Sequence, residues 1–387
     1  MIDDIIARRR IIITCGTGGV GKTTVSAAIA LRAAMLGKRA LVITIDPAKR
    51  LATSLGLDAL SDHPTDLTAQ FAAARAKLGW NPPAGAEGEG KFFAVIPDTR
   101  KTFETFMHSL SPTPKTAEMV LNNPLFKTVA SEFSGANEYM ALQKLDAMAH
   151  DSEYDCIILD TPPNRSTLTF LNASQTLTRL FEEKFIRWLI VPANRLVSVA
   201  MKKALGVLES FTGSGFIGYL IEFANALFEV QDRFMEKLYR VTALLESEDV
   251  GFVSVTTATP DTIPEFTHLI DAFYEKRFNF DGVVLNRTLG FFPPAVAEPS
   301  KSADHHGEDP LQQGLQIVGT LQDRERVVTD ELQNRLAKLK GAHAVPKIHK
   351  LPELVRDVHS IEDLFHVALA FGPDPSDGAA AGTAGVR

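Results

Sequence analysis

The feature that most constrains this chain is the run Gly16-Thr17-Gly18-Gly19-Val20-Gly21-Lys22-Thr23, set between two segments of different character. Before it, Ile11–Cys15 is a short β-branched run that reads as a buried strand. After it, Lys22–Leu36 is rich in Ala, Leu and Ile and stops at Gly37, as a helix with a C-terminal glycine does. A strand, a glycine-rich turn and a helix in that order are the context that gives G-x-x-x-x-G-K-[ST] its meaning. The glycines let backbone N–H groups close around phosphate oxygens, and the helix N-terminus adds partial positive charge. Lys22 is placed to reach β- and γ-phosphates, and Thr23 to put its hydroxyl on Mg²⁺. Gly16, Gly18 and Gly21 also fit the dinucleotide pattern G-x-G-x-x-G, with Asp46 closing the next strand. Lys22-Thr23 favours the phosphate-binding loop, because a dinucleotide fold has no use for that pair against its pyrophosphate.

Two acids are positioned to complete such a site. Asp160 ends the hydrophobic strand Cys156–Leu159, where a carboxylate can hold Mg²⁺ or one of its waters. Asp46 follows the strand Ala40–Ile45, at the same edge of a parallel sheet, where it can orient an attacking water or hold a metal-bound one. Either acid alone would pass for a helix cap or turn residue. Their order behind the loop is what gives them weight.

Further strands are expected at Phe92–Ile96, Phe252–Val255, Gly282–Leu285 and Ala344–Ile348, alternating with helical stretches. That alternation predicts an α/β fold with a mainly parallel sheet covered by helices on both faces. The helical blocks 101–150, broken near Ser111-Pro112 and Asn123-Pro124, and 174–246 are too long for simple crossovers and read as one inserted helical subdomain. The expected organisation is a first part of the core over 1–100, a largely helical insertion over 101–246 that carries the strand region 154–165, a second part of the core over 247–370 with an amphipathic helix within 317–339, and a disordered tail over 371–387.

Composition narrows the partners. Forty basic against 47 acidic residues leave a net charge of −7, which argues against broad nucleic-acid binding. Two cysteines, Cys15 and Cys156, both in apolar runs, suit a reducing, cytoplasmic setting and inert buried thiols. Neither a secretory leader nor a transmembrane run is expected; the best candidate, 215–230, is interrupted by Glu222 and Glu229.

These residues carry a resemblance. Gly16–Thr24 resembles the deviant Walker A loop of the ArsA family, the arsenite-pump ATPases and the targeting ATPases for tail-anchored membrane proteins, cousins of the Min and Par ATPases. Asp46-Pro47-Ala48 resembles the family's switch I, and Asp160-Thr161-Pro162-Pro163-Asn164-Arg165 its switch II. Asn286, after Val283-Val284-Leu285, matches the adenine-reading Asn, Leu351-Pro352 resembles the loop flanking the base, and Ser134–Glu138 resembles a segment of the helical region. The resemblance implies a P-loop ATPase using ATP and Mg²⁺. Lys22 would stabilise charge, Thr23, Asp46 and Asp160 would serve the metal and water, and Gly16–Thr24, Asn286 and Pro352 would hold the nucleotide. It further implies a nucleotide-driven dimer, of two copies or with a paralogue, that handles a hydrophobic or membrane-directed client or serves a transport system, in the cytoplasm or peripherally at a membrane. A Min/Par-like binding switch and a weakly active subunit needing a catalytic paralogue are the alternatives. The run Asn286-Arg287-Thr288-Leu289 lacks the Asp of guanine-reading motifs, which favours ATP.

Two departures stand out. Position 17 is Thr where the family has its intermonomer lysine, so Arg165, or Lys49 or Arg50, is expected to supply that charge. Two cysteines build neither a CxxC zinc clasp nor a three-thiol arsenite site, so arsenite binding is not carried over. Of the weaker signals, Asp304–Asp309 with its two histidines reads as a solvated loop, and Arg8-Arg9-Arg10 as a solvated strand entry. The aromatic-rich block 181–245 reads as core sooner than as a cargo groove.

Overall fold

The computed structural model describes residues 1–45, 50–83, 88–124, 136–151, 153–161, 172–173, 178, 216–290, 310–338, 346–354 and 356–372. In chain order the elements are α1 (Ile2–Arg8), β1 (Ile11–Cys15), α2 (Lys22–Met35), β2 (Arg39–Thr44), α3 (Arg50–Ser54), β3 (Thr65–Asp66), α4 (Thr68–Lys77), β4 (Lys91–Val95), α5 (Thr99–Leu110), α6 (Pro114–Asn122), α7 (Ala136–His150), β5 (Cys156–Asp160), α8 (Phe216–Glu246), β6 (Val250–Thr257), α9 (Thr262–Glu275), β7 (Phe280–Thr288), α10 (Pro310–Ala337), β8 (Lys347–Pro352) and α11 (Ile361–Leu369). They divide between two compact units, one comprising 1–96, 151–167 and 246–387, the other 97–150 and 168–245.

The first unit is built on one eight-stranded sheet in the order β3-β4-β2-β5-β1-β6-β7-β8. All pairings are parallel except that of the two-residue edge strand β3 with β4. The fold is thus α/β, as the alternation of strands and helices implies. β1 lies between β5 and β6, so strand order reverses around it, and the loop leaving β1 opens at the carboxyl edge where such sheets place their ligands. Strand side chains alternate between two apolar layers. Val284 joins the large cluster containing α2, α4 and α11, whereas its neighbours Val283 and Leu285 join a second cluster with Phe266 and Ile270 of α9 and Val328 and Leu332 of α10. Burial of β1, β2, β4 and β5 along almost their whole length explains their uninterrupted apolar sequences.

The N-terminus departs from expectation. Residues 2–8 form a helix whose Ile2, Ile5 and Ile6 are buried against the large cluster. Arg32 of α2 grips Asp3 through two hydrogen bonds of 2.8 and 2.7 Å. The arginine run that follows is not simply solvated: Arg9 forks onto Asp281, at 2.8 and 2.9 Å, and Arg10 donates to backbone carbonyls of Asp151 and Tyr154. These basic residues tie strand ends together.

In the second unit the described elements are α5, α6, α7 and most of α8. Asp98 caps α5, and Thr113 followed by Pro114 starts α6, so the break near Ser111-Pro112 is a helix end and a fresh N-cap. Phe106, Tyr139 and Phe234 pack as a trio of rings, and Arg240 pairs with the buried Asp146. On α8, Phe234 is buried, whereas Tyr219 and Phe228 are about half exposed. The expectations on Ser134-Gly135, on Trp188 and most of the aromatic block, on Asp304–Asp309 and on the tail beyond 372 lie outside the described residues. No helix among the described residues is long and apolar enough to cross a membrane.

Candidate nucleotide site

The loop after β1 depends on glycine at two positions for a physical reason. Gly16 has φ +142, and a Cβ there would sit 2.0 Å from the Val255 carbonyl oxygen of β6, a backbone atom that cannot step aside. Gly21 has φ +88, and its Cβ would lie 2.4 Å from Asn286 Nδ2. The chain therefore passes close under β6 and β7 before entering α2, whose N-terminus at Gly21 has no side-chain cap. Asn286, at the end of β7, donates Nδ2 to the Val20 carbonyl at 2.8 Å and so braces the loop from across the sheet.

Behind the loop is a buried polar cluster. Lys22 is 5% exposed, and its Nζ donates to the Thr17 carbonyl at 2.7 Å. Asp160, at the carboxyl end of β5, is 1% exposed. Its Oδ2 accepts from Thr23 Oγ1 at 2.7 Å and from Thr44 Oγ1 at 2.8 Å, and Ser26 Oγ lies 3.3 Å from its Oδ1. Thr161 Oγ1 donates to the Thr14 carbonyl at 2.8 Å, fixing the chain as it leaves β5. Burial pushes the Asp160 carboxyl above the usual carboxylate range, against the opposing pull of the three hydroxyls and of Lys22. The arrangement offers a hard cation what it takes: a hydroxyl and a carboxylate in contact, at a helix start that can share it with phosphate oxygens.

In front of the loop opens a cavity of 510 Å³. Gly19, Gly21 and Lys22–Thr24 form one wall, Arg50, Thr53 and Ser54 of α3 another, and Thr161, Arg287 and Asp357–His359 complete the described lining. The structure thus brings together Gly21, Lys22, Thr23, Asp160 and Asn286. Pro352 ends β8, paired in register with Thr288 beyond Asn286. Asp46, Lys49 and Arg165 lie outside the described residues, and Arg50 is at the cavity. Sequence reasoning missed two features. The hydroxyls of Thr44 and Ser26 become visible only when β2 and α2 are packed on β5. Arg287 served only to argue against guanine, although it stands at the cavity wall. Cys15 and Cys156 are buried free thiols; burial pushes Cys156 up to about 12 and Cys15 higher still, so neither offers a thiolate at neutral pH.

The sequence matches the model of one family, described as anion-transporting ATPase (ArsA), over residues 9–308. It is 25% identical over 285 residues, 71% of this chain and 78% of the relative, to a provisionally named arsenical pump-driving ATPase of Aquifex aeolicus. A second such protein of that organism is 22% identical over 375 residues, 95% of this chain and 80% of its own length. The ATPase get3 of Schizosaccharomyces pombe is 27% identical over 167 residues, 42% of this chain and 43% of the relative.

Proposed function

The chain belongs to the anion-transporting ATPase family, and from that premise we propose that it is a Mg²⁺-dependent ATPase that couples hydrolysis, in a dimer, to handling a membrane-directed cargo or to a transport system. Membership makes it an ATP hydrolase. The observation that carries the metal reading is the contact of Thr23 Oγ1 with Asp160 Oδ2 at the mouth of α2.

In this reading Thr23 and Asp160 would hold Mg²⁺, with Asp46 as a further acid to serve it. When bound, the ion would supply neutralisation of phosphate charge there. Lys22 exchanges the Thr17 carbonyl for phosphate oxygens and stabilises the charge that develops on them. Asp46 positions the water that attacks the γ-phosphorus, and Gly16–Thr24 wrap the phosphate chain with backbone N–H groups. Asn286, its Nδ2 committed to Val20, keeps its amide oxygen as an acceptor. Adenine presents an amino donor where guanine presents a carbonyl, which supports ATP. Pro352 bounds the base from the end of β8.

The resemblance supports the dimer: with one phosphate loop in its sequence, the chain resembles half of a duplicated pump ATPase. Thr17 in place of the intermonomer lysine favours a second reading, an ATP-binding subunit that needs a catalytic paralogue. Specific ATPase activity measured against protein concentration, with Lys22→Ala as the blank, separates the two. Activity rising with concentration is expected if the chain builds its own catalytic dimer. ATP bound with a rate at the blank level at every concentration would overturn that and leave the paralogue-dependent subunit. Arg165→Ala and the Lys49/Arg50 double alanine variant test whether those cations replace the missing lysine; wild-type rates in both would reject the substitution.

A further inference from the structure

The end of β7 is irregular in a way that the fold does not require. Between Leu285 and Thr288 the strand advances three residues while its partner β8 advances two, from Lys350 to Pro352. The extra residue is taken up at Arg287, whose φ of +60 is rare for a residue with a side chain. Arg277, at φ +58, shares that conformation, but it terminates α9 with its N–H on the Tyr274 carbonyl, where a left-handed residue is ordinary. Arg287 terminates no helix.

The consequence of the bulge is directional. In a regular strand, successive side chains point to opposite faces. Asn286 points at the loop, touching Val20, so Arg287 would point away from it. With the bulge, Arg287 instead lines the same cavity as Gly19 and Gly21. The irregularity is pinned on both sides. Glu353 N–H donates to the Thr288 carbonyl at 2.8 Å, and Leu289 N–H to Glu325 Oε2 at 2.8 Å. Glu325 is 9% exposed and is itself met by Lys350 at 3.3 Å. The ion pair of Arg287 with Glu353 spans 4.0 Å with both side chains about half exposed, a pairing that holds a guanidinium only weakly. Among the described lining residues, Lys22, Arg50 and Arg287 are cationic and only Asp357 is acidic, a balance that favours a polyanion.

We propose that Arg287, re-aimed by the β7 bulge, is a phosphate-binding residue of this site that forks onto the phosphate chain of a nucleoside di- or triphosphate from within the same chain. The inference rests on the nucleotide reading above. It assigns a cis cation to a loop that has Thr17 where the resemblance implies a lysine, and gives the strained backbone a purpose.

The test is equilibrium binding of ATP, ADP and inorganic tripolyphosphate to the purified full chain, for wild type, Arg287→Ala, Arg287→Lys and Arg287→Gly. The Ala variant is expected to bind all three about tenfold more weakly, with Lys recovering part. The Gly variant is expected to lose binding like Ala yet melt higher than wild type, since glycine accepts the left-handed backbone that arginine resists. Wild-type affinity in both the Ala and Gly variants would overturn the proposal. So would weaker ATP binding with unchanged tripolyphosphate binding, which would mark a base contact instead. Failure of wild type to bind ATP above Lys22→Ala would be a different result, one that removes the nucleotide reading itself.

Discussion

Thr23 Oγ1 donates to Asp160 Oδ2 across 2.7 Å, although the two residues are 137 positions apart in the chain. The pairing of β1 with β5, Thr14 opposite Asp160, sets the carboxylate beside the helix that follows the glycine loop. The first prediction concerns this contact. Thr23→Ala should raise the Mg²⁺ concentration needed for half-maximal phosphate release by about tenfold, and Thr23→Ser should restore it, because the hydroxyl and not the methyl serves the ion. A Mg²⁺ titration of phosphate release reads both, and an unchanged midpoint in the Ala variant would remove Thr23 from the metal's neighbourhood.

Asp160 shows the cost of that placement. Its folded pKa is raised above the ordinary 3.8 by burial, so the folded chain holds this proton to higher pH than the unfolded chain does. Stability from this group is complete below the ordinary value and lost as pH rises through the folded one. At pH 7 its burial is a burden, because the unfolded chain ionises this group freely and the fold resists that ionisation. Asp160→Asn should therefore melt about 2–4 °C above wild type at pH 7, with the gap closing as the pH falls towards 4, while turnover drops about a hundredfold. Calorimetry across pH together with phosphate release checks both halves. A variant that melts lower at every pH would show the carboxylate to be structural.

Gly21 and Asn286 are coupled by space. Gly21→Ala places a methyl 2.4 Å from Asn286 Nδ2 and forces alanine to φ +88. It should weaken ATP binding at least about tenfold. Adding Asn286→Ala removes the collision but not the backbone strain, so the double variant should recover only part of the loss. Full recovery would show that the clash alone mattered.

Arg32 and Asp3 fasten α1 to α2, with the Arg32 side chain 7% exposed. Arg32→Ala should cost about 2 kcal/mol in urea unfolding and leave ATP turnover per folded molecule unchanged, since neither residue approaches the cavity. A loss of turnover with unchanged stability would contradict this.

The loop and its strand–helix frame were legible because they are local. Ile11–Cys15 has one conformational use, and Lys22-Thr23 behind four glycines has one chemical use. The parallel core followed from alternating apolar strands for the same reason. What escaped was of two kinds. α1 is seven residues long, and its three buried isoleucines were masked by the arginine run beside them. α11 carries a local signal, Ser360 accepting from the Asp363 N–H while Asp363 accepts from the Ser360 hydroxyl, a cap that could have been read from the spacing. The register shift at Arg287 is different. It arises where β7 meets β8, some 60 residues further on, and no local pattern announces it.

The central claim is that Lys22, Thr23 and Asp160 form a Mg²⁺-dependent ATP-hydrolysing site. Steady-state phosphate release from ATP by the purified full chain, with and without Mg²⁺ and beside Lys22→Ala, tests it most directly. The account predicts release that requires Mg²⁺ and falls at least about a hundredfold in Lys22→Ala, with the variant still folded by circular dichroism. Equal release by wild type and Lys22→Ala, or release indifferent to Mg²⁺, would contradict it.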